Sequence, residues 1–510
     1  MTRQQAEAAE TVQAAGPPAG SESHRPLASL PLLRAVPPLV TLAVMLTGIT
    51  GPSYIPDESA TLSAVHRSFP GLLRMLLNID AVHGAYYALM WVITRLAGTG
   101  ELTTRLPSAL AMAAAAAGVV ALGRRLVSPA AGIAGGLAFA VLPVVSYFGH
   151  DARSYGIMTA LATLASYLLI RALDASPGKG RRRWLAWYGV SLAALGVTQV
   201  FGLLVIVAHA VTVAWHQRRG GTERDRRSLM TGWLLAAAAG PFFSVPVLLL
   251  AWQQRRTSLS LIGTLPFLSR VDGLFGSGWL ALAVAVVVAA GIAVSTLHGR
   301  LRERWPAGLI SLSVPWLVLP PALLLAASAL FAPVYTVRYL VFCLPALALI
   351  IGTALVALGR IAGVAALAVL VVAALPVQVQ YRSPTGLGRN IREMDRVIER
   401  WHQPGDAVVF GDWRNQYQRF AYPYGLASLR DIALARTPAQ ANNLAGTKVP
   451  PKVLRARLAT VSRVWFVGYT HDNRPSPTLR RAGFRRVRTW HFSPLIWFAL
   501  YVRDTGGART

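Results

Sequence analysis

The sequence has little charge and almost no cysteine. Only 14% of its 510 residues are Asp, Glu, Lys or Arg, whereas a soluble globular chain carries about a quarter because its surface faces water. The single cysteine, Cys343, lies in an apolar stretch, which excludes disulfides within the chain and cysteine-based metal sites. Acidic residues number 21 against 50 basic ones. A string of soluble domains is therefore excluded.

Long hydrophobic stretches fill the sequence instead. Hydrophobic residues make up 54% of the chain, and its mean hydropathy is +0.46. Many apolar runs have the length that crosses about 30 Å of hydrocarbon as a helix. The predicted fold class is mainly α: a polytopic membrane protein with about eleven transmembrane helices. The predicted spans are 35–51, 105–122, 130–148, 154–172, 184–198, 200–216, 229–251, 277–297, 307–331, 337–356 and 361–377.

The net charge of +29 is explained by membrane topology, and we predict no nucleic-acid partner. Arginines concentrate in alternate loops, as expected for cytoplasmic loops of a multi-pass protein in the cell membrane. This pattern predicts a cytoplasmic N-terminus, with residues 1–34 as a disordered tail, and places the segment after 377 outside. The abundance of Arg over Lys is typical of a GC-rich bacterial genome, and we expect an actinobacterial type of cell envelope. The Arg-rich loops are 124–125, 179–183, 218–227, 300–304 and 360.

The first external loop, 52–104, contains an apolar stretch at 81–97 that is hard to assign. Counting this stretch as a span would reverse every later loop and place the arginine clusters outside. It is also short and carries His83 and Arg95. We therefore predict juxtamembrane helices over 59–97.

Residues 378–510 have a different character from the rest, with 22 basic and 8 acidic residues and shorter apolar runs. The residue pattern predicts an amphipathic helix over 387–401. Four strands are predicted further on, which together indicate a small α/β extracytoplasmic domain at 378–510 after the transmembrane part at 35–377. The predicted strands are 406–410, 463–468, 485–491 and 495–502.

Polar residues collect on the predicted outer side. A carboxylate there can take the proton of an acceptor hydroxyl, and Arg with Tyr can hold a phosphate that leaves. This mixture fits group transfer from a lipid carrier. The candidate residues are Asp57, Glu58, Asp80, His83, Arg153, Tyr155, Arg338 and Tyr339.

Five segments resemble the GT-C superfamily of integral-membrane glycosyltransferases, close to the bacterial protein O-mannosyltransferase and aminoarabinose transferase branch. They cover about 57–172 and 335–350, in the order of the family. The Asp-Glu pair and the R-x-P-S-A sequence are the most specific. The segments are DESATLSAVHRS, DAVHGAYYALMWVITRLAG, TRLPSALAMAAAAAGVVALGRRL, HDARSYGIMTALATLASYLL and VRYLVFCLPALALI.

The resemblance implies a polyprenyl-phosphate sugar donor and transfer with inversion at the anomeric carbon. It implies that Asp57 is the catalytic carboxylate and that Glu58 orients the acceptor. Arg338 matches an arginine that faces the donor phosphate, and Arg153 with Tyr155 matches a polar pair. Tyr339 is grouped with these donor-binding residues. Asp80 and His83 fall where the family has a second Asp, in an acceptor or supporting role.

Several alternatives remain open at this stage. Asp57 also suits a helix cap, and a divalent metal beside it, with His83 as a ligand, is an option, although we assign no metal site. Residues 252–276 are a candidate gate over the donor. The sugar is mannose-like or a pentose, and the acceptor is a glycan, a lipid or a protein. A transporter of lipid-linked sugars, using Gln199 and His209, and an envelope scaffold are the rival functions.

Overall fold

The structure, a computed structural model, is mainly helical. It describes residues 31–258, 273–331, 334–388, 390–411, 413–422, 424–469, 476–493 and 496–504. The predicted N-terminal tail therefore lies largely outside the described residues. The helices up to the C-terminal region are α1 (Pro31–Leu46), α2 (Pro56–Val65), α3 (Phe69–Leu76), α4 (Gly84–Ala97), α5 (Glu101–Leu126), α6 (Pro129–Val141), α7 (Pro143–Gly149), α8 (Tyr155–Asp174), α9 (Lys179–Thr198), α10 (Val205–Gln217), α11 (Glu223–Ser258), α12 (Gly278–Leu297), α13 (Leu301–Arg304), α14 (Ala307–Leu330), α15 (Leu344–Ala357) and α16 (Arg360–Arg382).

Seven helices in the described ranges are long and apolar enough to cross a membrane. The pair α6 and α7, bent by 66°, makes an eighth if it is counted as one span. The predicted number of eleven is not confirmed. The other three predicted spans fall on α1 and the stretch Val341–Ala357, which are shorter apolar helices, and on α9, whose first turn carries Lys179 and three arginines.

Glycines let two of the central helices approach closely. Gly135 of α6 faces Gly352 of α15, and a Cβ atom added at Gly352 would lie 2.3 Å from the Gly135 amide nitrogen. Small residues at such contacts allow helix backbones to touch inside a membrane, where packing replaces the hydrophobic effect as the driving force. This contact positions α15 against α6 and thereby also positions the segment just before α15, which contains Arg338 and Tyr339.

Three short helices, α2, α3 and α4, occupy the stretch for which juxtamembrane helices were predicted. Their buried side chains, among them Leu62 and Tyr86, share a core with the C-terminal region, including Met394 and Phe498. The stretch 81–97 therefore shares a buried core with the C-terminal region.

The C-terminal region is a small α/β unit, and its four predicted strands are confirmed. The elements are α17 (Ile391–Trp401), β1 (Ala407–Phe410), α18 (Gly425–Ser428), β2 (Arg430–Asp431), β3 (Leu434–Arg436), β4 (Thr447–Lys448), α19 (Pro451–Ala459), β5 (Arg463–Tyr469), α20 (Pro477–Arg481), β6 (Phe484–Ser493) and β7 (Ile496–Arg503). The main sheet has the order β2-β1-β5-β7-β6, with β1 parallel to β2 and β5 and the remaining pairs antiparallel.

One arginine of α17 ties this unit to the transmembrane part. Arg392 donates hydrogen bonds to the carbonyl oxygens of Thr50, Gly51 and Pro52, just after α1. It also lies 2.5 Å from Glu101 at the start of α5. The C-terminal unit is thus held on the helix ends beside the first loop.

The Gly135–Gly352 contact predicts the effect of a single methyl group. We expect Gly352→Ala to force the two backbones apart and to lower the stability by about 1–3 kcal/mol, the usual range for overpacking. The measurement is the melting temperature of the purified protein in detergent. Gly180→Ala is the matched control, because a Cβ atom at Gly180 of α9 meets nothing within 4 Å. Equal melting temperatures for both variants would contradict this account.

Candidate active site

The start of α2 is fixed by a buried ion pair. Pro56 occupies the first turn, a position that proline favours, and Glu58 accepts a hydrogen bond from the backbone N–H of Ile55 at 3.0 Å. Arg105 of α5 grips the same carboxylate in a bidentate pair, with distances of 2.8 and 2.9 Å. Both side chains are fully buried. Glu58 is thus committed to holding the backbone around it.

The R-x-P-S-A sequence of α5 also holds the loop between α7 and α8. The Ser108 hydroxyl donates to the carbonyl oxygens of Asp151 and Arg153 at 2.7 and 3.1 Å. The Ala152 N–H donates to Glu58 at 3.0 Å. The motif thereby joins the loop before α2 to the segment 150–154.

Asp57 lies on a different side of α2 from Glu58 and faces a cavity. Its Oδ2 atom is 2.7 Å from Nη1 of Arg338, and these side chains are 36% and 41% exposed. The cavity has a volume of about 280 Å³ and is lined by both residues together with Asp151 and Tyr155. These residues, from three separate parts of the sequence, therefore meet at one polar cavity.

A second chain of contacts runs beside this cavity. The Tyr87 hydroxyl donates to Asp80, and Nη1 of Arg153 donates to the Tyr87 oxygen at 2.8 Å. Asp80 has a positive φ of 64°, an uncommon backbone conformation that Asp tolerates better than most residues. Gln254 near the end of α11 holds this turn by accepting from the Ala81 N–H. Asp80 and Arg153 are thus linked through Tyr87.

The remaining predicted residues lie around this chain. The His83 ring packs 5.9 Å from the ring of Tyr87 and is buried. Tyr339 stacks on Phe201, with 4.0 Å between ring centroids, and is not among the residues that line the cavity with Asp57. The predicted gate at 252–276 lies mostly outside the described residues.

Burial and neighbouring charges set the protonation of this region. Burial raises the pKa of Asp151 well above its usual value, and the nearby Glu58 and Asp57 raise it further. Burial lowers the pKa of His83 to about 4, with a further lowering from Arg153. Tyr155 and Asp57 raise the pKa of Arg338, against the lowering caused by burial. Asp151 and Arg338, both with a raised pKa, therefore share the cavity with Asp57.

Two buried polar atoms are poised for a ligand. In the described part of the chain, Nε of Arg153 and Oδ1 of Asp151 have no hydrogen-bond partner. Buried polar groups are normally paired, so the Nε–H of Arg153 can donate to a bound molecule and the Asp151 carboxyl oxygen can accept from one. Across the same described ranges, no group of three or more His, Cys, Asp or Glu side chains is arranged to hold a metal ion.

Sequence reasoning missed the roles of Asp151, Tyr87 and Arg105. Asp151 belongs to the polar run HDARSY, and its place in the cavity depends on the Ser108 and Glu58 contacts. Tyr87 is linked to Asp80, whose positive φ the sequence does not reveal. Arg105 is the one arginine of α5 before its last turn, and this isolated charge was the signal available in the sequence.

The lowered pKa of His83 predicts a pH effect on stability. Between pH 6.5 and about 4, His83 is protonated in the unfolded chain but stays neutral in the folded protein. The neutral imidazole therefore contributes fully to the free energy of unfolding above pH 6.5, and this contribution is lost as the pH falls. The loss amounts to about 3 kcal/mol at most. We expect the melting temperature of His83→Gln to fall less than that of the unaltered protein when the pH is lowered from 7 to 5. His298→Gln, at an exposed position, is the control, and an unchanged drop in His83→Gln would refute the prediction.

Comparison with known proteins agrees with the motifs found in the sequence. Residues 85–249 match the sequence profile of the family described as dolichyl-phosphate-mannose-protein mannosyltransferase. Among curated protein sequences, none matches the chain significantly.

Among solved structures, two crystal structures of ArnT from Cupriavidus metallidurans cover 92% of this chain and 97% of their own. The apo structure has 13% identity and a TM-score of 0.56, and the structure bound to undecaprenyl phosphate has 14% and 0.57. At such identities the likeness shows the fold. The chain thus shares the fold of ArnT and matches the mannosyltransferase profile over 85–249, and this confirms its resemblance to the GT-C membrane glycosyltransferases.

Proposed function

We propose that this protein is an inverting glycosyltransferase that moves a sugar from a polyprenyl-phosphate donor to an acceptor hydroxyl on the outer face of the membrane. The observation that carries the proposal is the Asp57–Arg338 pair in a polar cavity. The mannosyltransferase profile and the undecaprenyl phosphate bound by ArnT support a lipid-phosphate donor. The sugar is mannose-like or a pentose.

The chemistry assigns one task to each member of the pair. The acceptor oxygen attacks the anomeric carbon, the bond from that carbon to the phosphate oxygen breaks, and the acceptor proton passes to the Asp57 carboxylate. The leaving lipid phosphate keeps the bonding electrons and is stabilised by the Arg338 guanidinium, whose planar donors suit phosphate oxygens. Arg153, linked to Tyr87 at 2.8 Å, adds positive charge close by.

The pairing at 2.7 Å also suggests how the donor readies the base. A phosphate that binds Arg338 offers the guanidinium a second anion, and the carboxylate of Asp57 is then released toward the acceptor. Asp151, in its protonated form, would donate a hydrogen bond within the same cavity. Glu58 positions these groups through Arg105 and the Ala152 N–H and has no proton-transfer role in this scheme.

We further infer that the chain is oriented with its N-terminus in the cytoplasm and its C-terminal unit outside. The support is the arginine distribution among the loops. The transport alternative gains nothing from His209, since its ring nitrogens lie 3.0 Å from Ser166 and Tyr188. These bonds join α8, α9 and α10 through the His209 side chain.

Removal of the base gives the first test. We expect Asp57→Asn to lower kcat by about 100-fold or more, the lower end of general base catalysis, with purified enzyme and a labelled polyprenyl-phosphate sugar, mannose and arabinose being tried in turn. Asp174→Asn is the matched control, because Asp174 pairs with Arg125 at a partly exposed position outside the site. Undiminished transfer by Asp57→Asn would exclude this mechanism.

Arg338 gives a second test that concerns the donor. We expect Arg338→Ala to raise KM for the donor by about tenfold or more, since a hydrogen-bonded charge contact is lost. Arg338→Lys would recover part of the loss, because it keeps the charge without the planar fork. Arg302→Ala, at an exposed position in α13, should leave KM unchanged. A donor KM that is equal in all three variants would rule out a phosphate contact.

A further inference from the structure

A second polar crevice lies between the C-terminal unit and the ends of α1 and α5. Its volume is about 800 Å³. Its lining includes Arg392 and Arg396 of α17 and, from the other part of the chain, Tyr54 and Glu101. The crevice is therefore a separate space with its own lining, formed where the two parts of the chain meet.

The crevice has a surplus of positive charge. Arg392, Arg396 and Arg419 line it together with one acid, Glu101. That acid is already satisfied, because Arg392 contacts both of its oxygens at 2.5 and 2.6 Å and the Tyr422 hydroxyl donates to it at 2.5 Å.

The other two arginines are less committed. Arg396 is 60% exposed and has Glu393 only at 3.8 Å. Burial raises the pKa of Asp431 on β2, and the positive charge of Arg419 opposes this rise. Two guanidinium groups can thus bind an anion in the crevice.

Aromatic rings line the same space. Tyr424 is 50% exposed, and the rings of His66 and Phe420 lie 5.8 Å apart at its edge. Flat rings beside charged donors suit a ligand that has both apolar faces and anionic groups. A sugar ring with a carboxylate or phosphate group has this combination, whereas a purely ionic ligand has no apolar face to pack against the aromatic rings.

The crevice and the candidate active site lie on opposite sides of the chain segment that contains Tyr54 and Ile55. Tyr54 lines the crevice and Ile55, the next residue, lines the cavity that holds Asp57. Ile55 has an extended backbone with φ −96° and ψ 165°, and consecutive side chains of an extended chain point to opposite sides. A ligand in the crevice would lie behind the wall of the catalytic cavity.

We propose that this crevice binds an anionic saccharide, a part of the acceptor that lies away from the reacting hydroxyl. Only the identification of the ligand as part of the acceptor rests on the proposed glycosyl transfer. The binding itself follows from the guanidinium groups of Arg396 and Arg419 beside the Tyr424 ring. It adds an acceptor class, carboxylate- or phosphate-bearing glycan, to a reaction whose acceptor is otherwise undefined.

The test is a direct binding measurement on the purified full chain in a detergent without a sugar head group. Tetragalacturonate is the anionic probe and maltotetraose is the neutral chain of equal length. We expect tetragalacturonate to bind and maltotetraose to bind at least about tenfold more weakly. The Arg396→Ala/Arg419→Ala double variant should lose about tenfold or more in affinity for tetragalacturonate, as expected for lost charged hydrogen bonds.

Arg400→Ala is the matched control, since Arg400 is an exposed arginine of α17 outside the crevice lining, and it should bind within twofold of the unaltered protein. Equal loss in Arg400→Ala would overturn the proposal by showing non-specific attraction to a basic surface. Equal binding of maltotetraose, or full binding by a folded double variant with an unchanged melting temperature, would also overturn it. So would binding of phosphatidylglycerol nanodiscs, but not of tetragalacturonate, that depends on Arg396 and Arg419.

A failure of the proposed reaction would be seen separately. Asp57→Asn should bind tetragalacturonate as the unaltered protein does, even though its transfer is lost. If Asp57→Asn transfers normally, the catalytic scheme fails while the crevice measurement stands. If tetragalacturonate does not bind, the crevice proposal fails while the transfer assay stands.

Discussion

The buried pair of Glu58 and Arg105 is the interaction on which the site depends. Glu58 accepts four hydrogen bonds, two from Arg105 and one each from the N–H groups of Ile55 and Ala152. Arg105 also donates to the carbonyl oxygens of Ile49 and Pro52. Breaking such a pair would leave a charge in the interior at a cost of about 3–5 kcal/mol. The end of α1, the start of α2, α5 and the loop before α8 are thereby joined, and Asp57 is held at the point where they meet.

The sequence indicated which residues matter better than it indicated what each one does. Asp57 and Glu58 are neighbours in the chain and were grouped together, but successive residues of a helix point about 100° apart. One faces the cavity and the other is buried against Arg105. The arginine distribution placed Arg338 on the same side of the membrane as Asp57, and the family resemblance assigned it to the donor phosphate, but no spacing rule pairs residues 281 positions apart. Asp151 needed the tertiary contacts of Ser108 to be noticed.

The fold was predictable where one physical rule dominates. Short apolar runs gave four strands of the C-terminal unit, which the structure has within one or two residues. The charge rule argued against a span at 81–97, and the structure has there α4, a helix of 14 residues that shares a buried core with that unit. The number of spans was less accessible, because α1 has 16 residues with two internal prolines and α6 bends into α7. Length and hydropathy alone do not register such breaks.

The wide separation of Asp57 from Arg338 in the chain has a consequence for the order in which the protein is made. The contacts around Glu58 join residues at most 94 positions apart, so that half of the site can assemble early in synthesis. Arg338 follows only after α14, and Arg392 reaches the carbonyl oxygens of Thr50 and Gly51 later still. A partly synthesised chain therefore contains Asp57 before Arg338 has been made. Under the proposed scheme, transfer would have to wait until the chain has been made past α14.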